Sequence, residues 1–124
     1  TYNFIAGFPN ETIEDYQETL RTIYHIFEKC KYMVYPVPAP SFYCPLPGTK
    51  SFDDAVALGH KVPKSFEEWT DVDYNLKEMV WISKEFHNFI VESRDVINNI
   101  NMKYTGDNAV ITKEDLKPLA DIMN

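Results

Sequence analysis

The chain has 124 residues, with 12 Lys and Arg against 19 Asp and Glu, and therefore a formal net charge of −7. Hydrophobic residues make up 44% and aromatic residues 15%, a composition that excludes a disordered or collagen-like chain and suffices for a packed core. The acidic balance argues against nucleic acid as the main partner, because binding to phosphates needs a basic surface. No apolar run approaches about 20 residues, so we expect no membrane span. The two cysteines, Cys30 and Cys44, are too few for a disulfide scaffold, which predicts a reduced, cytoplasmic protein.

The first residues are β-prone and predict a strand over residues 2–6, which ends at the GFPN turn of residues 7–10. Because the sequence opens inside a strand, we expect it to be a piece of a longer protein. Residues 12–29 are predicted to form a helix, since Thr12 suits the N-cap and Asp15 the capping box.

Residues 32–37 predict a second strand, so that strand, helix and strand form a βαβ unit with parallel strands. A parallel pair needs cover on both faces and partners at its edges. We therefore expect further strands outside this sequence.

Five prolines lie within residues 36–49 and predict a stiff loop, in which residues 42–44 could form a short strand. After this loop, Ser51 is predicted to cap a short helix over residues 52–58. Gly59 is predicted to end that helix.

The second half of the chain is predicted to be helical. Ser65 starts a capping-box pattern, and residues 72–103 predict a long helix with an apolar stripe that frays where asparagines accumulate at 98–101. Thr112 is predicted to cap a last helix over residues 113–123. Four aromatic residues of this half are interpreted as helix packing; they are Trp69, Trp81, Phe86 and Phe89.

Two turns could carry chemistry, because each follows a predicted parallel strand at the edge where such sheets bind ligands. In the first, Gly7 would let a ligand approach the backbone, and Glu11 could accept hydrogen bonds from ligand hydroxyls or amines. The second is PLPGT at residues 45–49. Taken singly, each turn is better explained as local structure: a tight βα turn and a rigid surface turn.

Together the two turns resemble a known family. FIAGFPNET at residues 4–12 resembles the F-I-x-G-[FL]-P-x-E-T motif on the fifth strand of radical S-adenosylmethionine (SAM) enzymes, and PLPGT resembles the P-x-P-G-T segment after their sixth strand. The resemblance is to the cobalamin-dependent subgroup, which includes anaerobic magnesium-protoporphyrin monomethyl ester oxidative cyclases and related methyltransferases. The commoner fifth-strand pattern is G-x-I-x-G-x-x-E; here Asn3 replaces its first glycine and the acid falls one position late, at Glu11.

The resemblance implies an α/β fold: a fragment of a partial TIM-type barrel over residues 1–59, followed by a helical extension over residues 60–124. It implies contacts to the adenosyl end of SAM from the first turn and a wall of the substrate pocket from the second. The implied cofactor-binding residues are Ile5, Gly7, Pro9 and Glu11. The implied substrate-pocket residues are Pro45, Pro47, Gly48 and Thr49.

In the full-length parent, the resemblance implies SAM, a [4Fe–4S] cluster and, for this subgroup, cobalamin. The family's CxxxCxxC cluster loop is not in this sequence, and Cys30 and Cys44 lack a third thiolate. His25, His60 and His87 have no ligand spacing. We therefore expect no catalytic or metal residue here, and an isolated chain that is inactive and binds none of these cofactors tightly.

The expected partners are the rest of the parent chain and a small-molecule substrate, whose identity the sequence does not indicate. An uncovered sheet edge predicts self-association, through residues 2–6 or the apolar stripe of helix 72–103. Two alternatives stay open. One is a non-catalytic helical protein-interaction module, and the other is a fragment of a radical SAM methylthiotransferase or a coproporphyrinogen-type enzyme.

Overall fold

The computed structural model describes residues 2–30, 36–72, 79–104 and 110–124. The elements in chain order are β1 (Ile5–Ala6), α1 (Ile13–Lys29), β2 (Ser41–Phe42), α2 (Lys50–Ala57), α3 (Phe66–Thr70), α4 (Lys84–Tyr104) and α5 (Lys117–Met123). Within these ranges, no helix combines the length and the apolarity that crossing a membrane requires.

The two short strands pair in parallel, with α1 connecting them in sequence. Ile5 lies opposite Ser41, and Ala6 lies opposite Phe42. The described chain is thus rich in helix with one parallel strand pair, which confirms the predicted strand–helix–strand arrangement at that level.

Among the described residues, the partner of β1 is Ser41–Phe42. Of the predicted partner, residues 32–37, only Pro36 and Val37 are described, and they belong to no strand. The pairing lies further along, where the Ser41 amide donates to the carbonyl of Phe4, just before β1, and the Tyr43 amide donates to that of Ala6, each at 2.8 Å. The physical reason is a shortage of donors: every second residue from Pro36 to Pro40 lacks an N–H, and the amide and carbonyl of Val37 are bonded elsewhere.

Helix α1 begins as predicted. The Asp15 amide donates to Thr12 Oγ1 at 3.1 Å, and the Thr12 amide donates to Asp15 Oδ2 at 3.0 Å. The Asp15 carboxylate accepts hydrogen bonds from the backbone amide and the hydroxyl of Thr12, and these two bonds lower its pKa. One face of the helix is buried in the core; its residues are Tyr16, Leu20, Ile23 and Phe27.

Helix α4 is shorter than predicted at its start and longer at its end. It begins at Lys84 rather than near residue 72, after turns over residues 80–82, and residues 73–78 lie outside the described residues. Ser83 Oγ accepts a hydrogen bond from the Phe86 amide at 3.1 Å, a capping bond that fixes this start.

The asparagines near the end of α4 do not end it, so the prediction of fraying is wrong. Asn101 is buried; its Nδ2 donates to the Val37 carbonyl at 2.7 Å, and its Oδ1 accepts from the Val37 amide at 3.0 Å. These tertiary bonds outweigh the low helix propensity of asparagine. The predicted turn after Tyr104 lies outside the described residues.

Two predicted caps are displaced. Helix α2 is capped by Thr49, whose Oγ1 accepts from the Phe52 amide, and not by Ser51. Thr112 closes a turn with Asp115, but helix α5 starts only at Lys117. Proline has no N–H to donate to the preceding turn, so a helix that began at residue 113 would lose a bond at Pro118.

The core lies between α1, α4 and α5. Tyr16 of α1 packs its ring against Phe86 and Phe89 of α4, and its hydroxyl lies 2.7 Å from Ser93 Oγ. The inward residues of α4 are buried within the chain; they are Phe86, Ile90, Ser93, Ile97, Ile100, Asn101 and Tyr104. The part of the predicted apolar stripe that lies on α4 is therefore not an open surface for self-association.

The two faces of the strand pair differ. On one face, Phe42 stacks on His87 with ring centroids 5.4 Å apart, and the Arg94 guanidinium lies 4.7 Å from the Phe42 centroid, so α4 covers this face. On the other face, Ser41 is exposed and Ile5 is 45% exposed. An apolar side chain on an uncovered sheet face is available for a contact from outside the described residues.

Candidate functional site

The carboxyl ends of β1 and β2 lie at one edge of the sheet, because the strands are parallel. We call residues 7–11, after β1, and residues 43–49, after β2, the carboxyl edge. The rings of Phe8 and Tyr43, one from each segment, have centroids 4.7 Å apart. The fold thus places the first turn beside Tyr43, two residues before the second turn begins.

Glu11 closes the first turn. Its Oε2 accepts hydrogen bonds from the Gly7 amide at 2.6 Å and the Phe8 amide at 3.1 Å. Partial burial is the largest influence on this carboxyl and raises its pKa, although the two backbone bonds act in the opposite direction. Glu11 therefore holds the backbone of its own turn and is a positioning residue rather than a free carboxylate.

Gly7 has φ +82, a left-handed conformation that glycine adopts without strain. Its carbonyl accepts a hydrogen bond of 2.7 Å from Trp81 Nε1. A Cβ on Gly7 would lie 2.4 Å from Met79 Cε, so Met79 occupies the space next to the glycine. A ligand could reach the Gly7 backbone only from a side that Met79 and Trp81 leave open.

The remaining residues of the implied SAM site are not brought to one place. Ile5 lies on the uncovered sheet face, whereas Pro9 is buried and Asn10 is exposed with φ +67. Ile5 is thus the accessible apolar side chain among the implied cofactor contacts, and Pro9 acts in packing.

The PLPGT turn serves mainly as the start of α2. Thr49 Oγ1 accepts from the Phe52 amide at 3.2 Å and donates to the Leu46 carbonyl at 3.0 Å. Pro45 is buried, Pro47 is exposed, and Gly48 has φ +89 with open space around it. The hydroxyl of Thr49 is engaged locally, so this turn offers the backbone around Gly48 to a ligand.

An aromatic cluster that the sequence analysis missed adjoins this edge. We define it by the rings of Phe8, Tyr43, Trp81, His60 and Phe52. Successive centroids are 4.7, 6.1, 5.4 and 6.1 Å apart. Burial lowers the pKa of His60, so the imidazole is neutral at neutral pH. The members come from four separate segments, and no local pattern joins them.

Tyr43 has a buried hydroxyl that forms no hydrogen bond with the described part of the chain. An unpaired buried hydroxyl costs about 1–3 kcal/mol. A water molecule or a ligand atom that formed a hydrogen bond with the Tyr43 hydroxyl would remove this cost.

The described residues contain no group of three or more His, Cys, Asp and Glu side chains that could hold a metal ion. Cys30 and Cys44 are free and partly buried. Burial raises the pKa of Cys44, which disfavours the thiolate that a metal or an electrophile needs. These residues do not fit an iron–sulfur cluster.

A separate groove of about 290 Å³ lies between α4 and α5. It shares no residue with the carboxyl edge. Lys103 and Asp115 meet there at 2.8 Å, which raises the pKa of the lysine and lowers that of the aspartate. This pair ties the end of α4 to the turn before α5.

Comparisons of the chain with protein-family models, with curated proteins and with solved structures give no match.

Proposed function

We propose that this chain forms part of the barrel of a radical SAM enzyme in the cytoplasm, of the cobalamin-dependent, porphyrin-cyclase-like or methyltransferase class. One observation supports the proposal above all. The parallel pairing of Ile5 with Ser41, connected through α1, joins the two family-like motifs at one sheet edge. Either motif alone is an ordinary turn. The proposal rests on both motifs, which occur in the order found in the family and follow strands that pair in parallel.

In this proposal, Ile5 contacts the adenosyl group of SAM from the uncovered face of the sheet. Its side chain is 45% exposed, while that of its neighbour Ala6 is fully buried. An exposed aliphatic side chain on a sheet face suits the flat, apolar face of adenine, which gains from leaving water.

Gly7 and Glu11 act together in shaping the turn beside that surface. The carboxylate of Glu11 fixes two successive amides, and Trp81 fixes the Gly7 carbonyl from the other direction. These bonds fix the shape of the turn before a ligand binds to the adjacent surface, which lowers the entropy cost of binding. Pro45, Pro47, Gly48 and Thr49 form one wall of the substrate pocket in the same proposal.

A reduced [4Fe–4S] cluster, held by another part of such an enzyme, supplies the electron that cleaves SAM. The residues described here do not fit that cluster, so their role is to bind and orient the adenosyl group and to keep water from one side of the pocket.

The test starts from the reading frame that encodes the chain. A CxxxCxxC motif within about 200 residues upstream supports the proposal, since three thiolates hold the cluster. An upstream cobalamin domain separates the proposed class from methylthiotransferase and coproporphyrinogen-type enzymes. The full-length protein, reconstituted without oxygen, should then form 5′-deoxyadenosine from SAM.

Ile5→Ala in the full-length protein tests the adenosyl contact. The change removes three carbon atoms that are about half-exposed before binding, which costs about 1 kcal/mol of contact, so the dissociation constant for SAM should rise roughly fivefold. Leu58→Ala is the matched control, because Leu58 is also 45% exposed but lies beyond α2. Absence of the cysteine motif, or equal effects of the two variants, would contradict the proposal.

The interaction-module alternative was based on the long, aromatic-rich helix predicted over residues 72–103 and on the acidic surface. The inward face of α4 is buried against α1 and α5. That packing favours a structural role for α4 within this chain.

A further inference from the structure

Helix α3 differs from the other helices because it has no buried residue. It is held by local bonds: Ser65 Oγ accepts from the Glu68 amide at 3.2 Å, and Glu68 Oε2 accepts from the Lys64 amide at 2.6 Å. Caps of this kind let a short helix form without packing against the core. The helix therefore presents its side chains to the outside in a fixed arrangement.

Helix α3 begins with a large apolar residue, Phe66. Phe66 is 81% exposed, the highest fraction among the exposed large hydrophobic residues that the structure describes. Three more exposed apolar residues precede it in the chain; they are Val56, Leu58 and Val62. Exposed apolar side chains grouped in one segment, with charges around them, are typical of interaction surfaces.

The charges of this segment change sign at Phe66. Lys61 and Lys64 come before it, and Glu67, Glu68 and Asp71 come after it; all five are exposed. In the part of the chain that the structure describes, none of them forms an ion pair. The segment thus has a basic half and an acidic half on either side of one exposed ring.

We propose that residues 56–71, the α3 surface, dock a second copy of this chain across a two-fold axis near Phe66. In a two-fold interface the same patch contacts itself with reversed direction. The basic half of each copy then faces the acidic half of the other, and the two Phe66 rings meet at the centre. A parallel arrangement would instead place like charges together.

The net charge of −7 does not prevent this pairing at physiological ionic strength. Salt of about 0.1 M screens charges beyond about 10 Å, whereas charges in contact across an interface are screened much less. The patch is small compared with stable interfaces of about 1,200–2,000 Å². The dimer is therefore weak and forms as the protein concentration rises.

Sedimentation velocity measures the fraction of dimer at protein concentrations from low micromolar to near-millimolar. We expect the mean mass of the unmodified chain to rise toward that of two copies. Phe66→Ser should stay a monomer, whereas Met102→Ser, at a 77% exposed position on α4, should dimerise like the unmodified chain. Circular dichroism should show both variants folded, since neither side chain is buried.

Charge reversal tests the direction of pairing. Lys61→Glu/Lys64→Glu makes the whole surface acidic, and Glu67→Lys/Asp71→Lys makes it basic. Each variant alone should be monomeric, and an equimolar mixture should form a heterodimer.

Lys29→Glu/Lys113→Glu is the control for net charge, since both lysines are exposed and lie outside the α3 surface; this variant should still dimerise. A monomer for the unmodified chain at all concentrations, a dimer that survives Phe66→Ser, or a mixture that stays monomeric would each overturn the proposal.

Discussion

Gly7→Ala should destabilise the fold by two separable effects. Any side chain at φ +82 costs roughly 1–2 kcal/mol because of the left-handed backbone. The new Cβ would also lie 2.4 Å from Met79 Cε and 3.1 Å from Sδ. Crowding of this kind costs about 1–3 kcal/mol, toward the lower end here because the end of a methionine side chain can shift. We therefore expect a loss of about 2–4 kcal/mol in the free energy of unfolding.

Gly48→Ala isolates the backbone effect. Gly48 has a similar φ of +89, but a Cβ there would meet nothing within 4 Å. Its loss should be only about 1–2 kcal/mol. Urea denaturation followed by far-UV circular dichroism measures both variants.

Adding Met79→Ala to Gly7→Ala should cost less than the sum of the single changes, because the Cβ then has room. If Gly7→Ala cost no more than Gly48→Ala, or if the double variant were strictly additive, the close packing of Met79 on Gly7 would be refuted.

Asn101→Ala should lose about 2–4 kcal/mol in urea denaturation, because it leaves the buried amide and carbonyl of Val37 unpaired; the exposed Asn99→Ala should stay within about 0.5 kcal/mol of the unmodified chain. Burial raises the pKa of Tyr16 to about 12, from an ordinary value of 10.0, so the unfolded state ionises first as pH rises. Stability should fall by about 2 kcal/mol between pH 10 and pH 12; Tyr16→Phe should show a smaller fall, and equal slopes would contradict this cause. Anaerobic reconstitution of the isolated chain should yield well under one iron per chain by iron and sulfide analysis, whereas about four irons with SAM cleavage would contradict the prediction.

The parts of the fold that the sequence predicted well are those determined by neighbouring residues. The cap of α1 depends on Thr12 and Asp15, three positions apart, and the cap of α3 depends on Ser65 in the same way. The hydrogen bonds of such caps form between neighbouring residues, so they can be predicted without the rest of the fold.

The wrong predictions concern places where a contact with a residue distant in sequence determines the local structure. The extension of α4 through Asn101 depends on Val37, and the placement of β2 depends on which backbone groups that same contact has already used. Apolar periodicity across residues 79–83 also could not distinguish a helix from a buried turn, because Met79 and Trp81 are core residues in either case.

The candidate site was also predicted only in part. The two turns could be placed at one edge, because parallel strands require it. The occupation of the Gly7 backbone by Met79 and Trp81 could not be predicted, since no spacing rule connects residues more than 70 positions apart.

The bond from Trp81 to the Gly7 carbonyl has a consequence for synthesis of the protein. The ribosome adds about 5–20 residues per second, so the 74 positions that separate these partners take roughly 4–15 seconds to translate. During that interval the first strand has neither its tryptophan donor nor the cover of α4. The native environment of the first strand therefore forms only after the second half of the chain has been made.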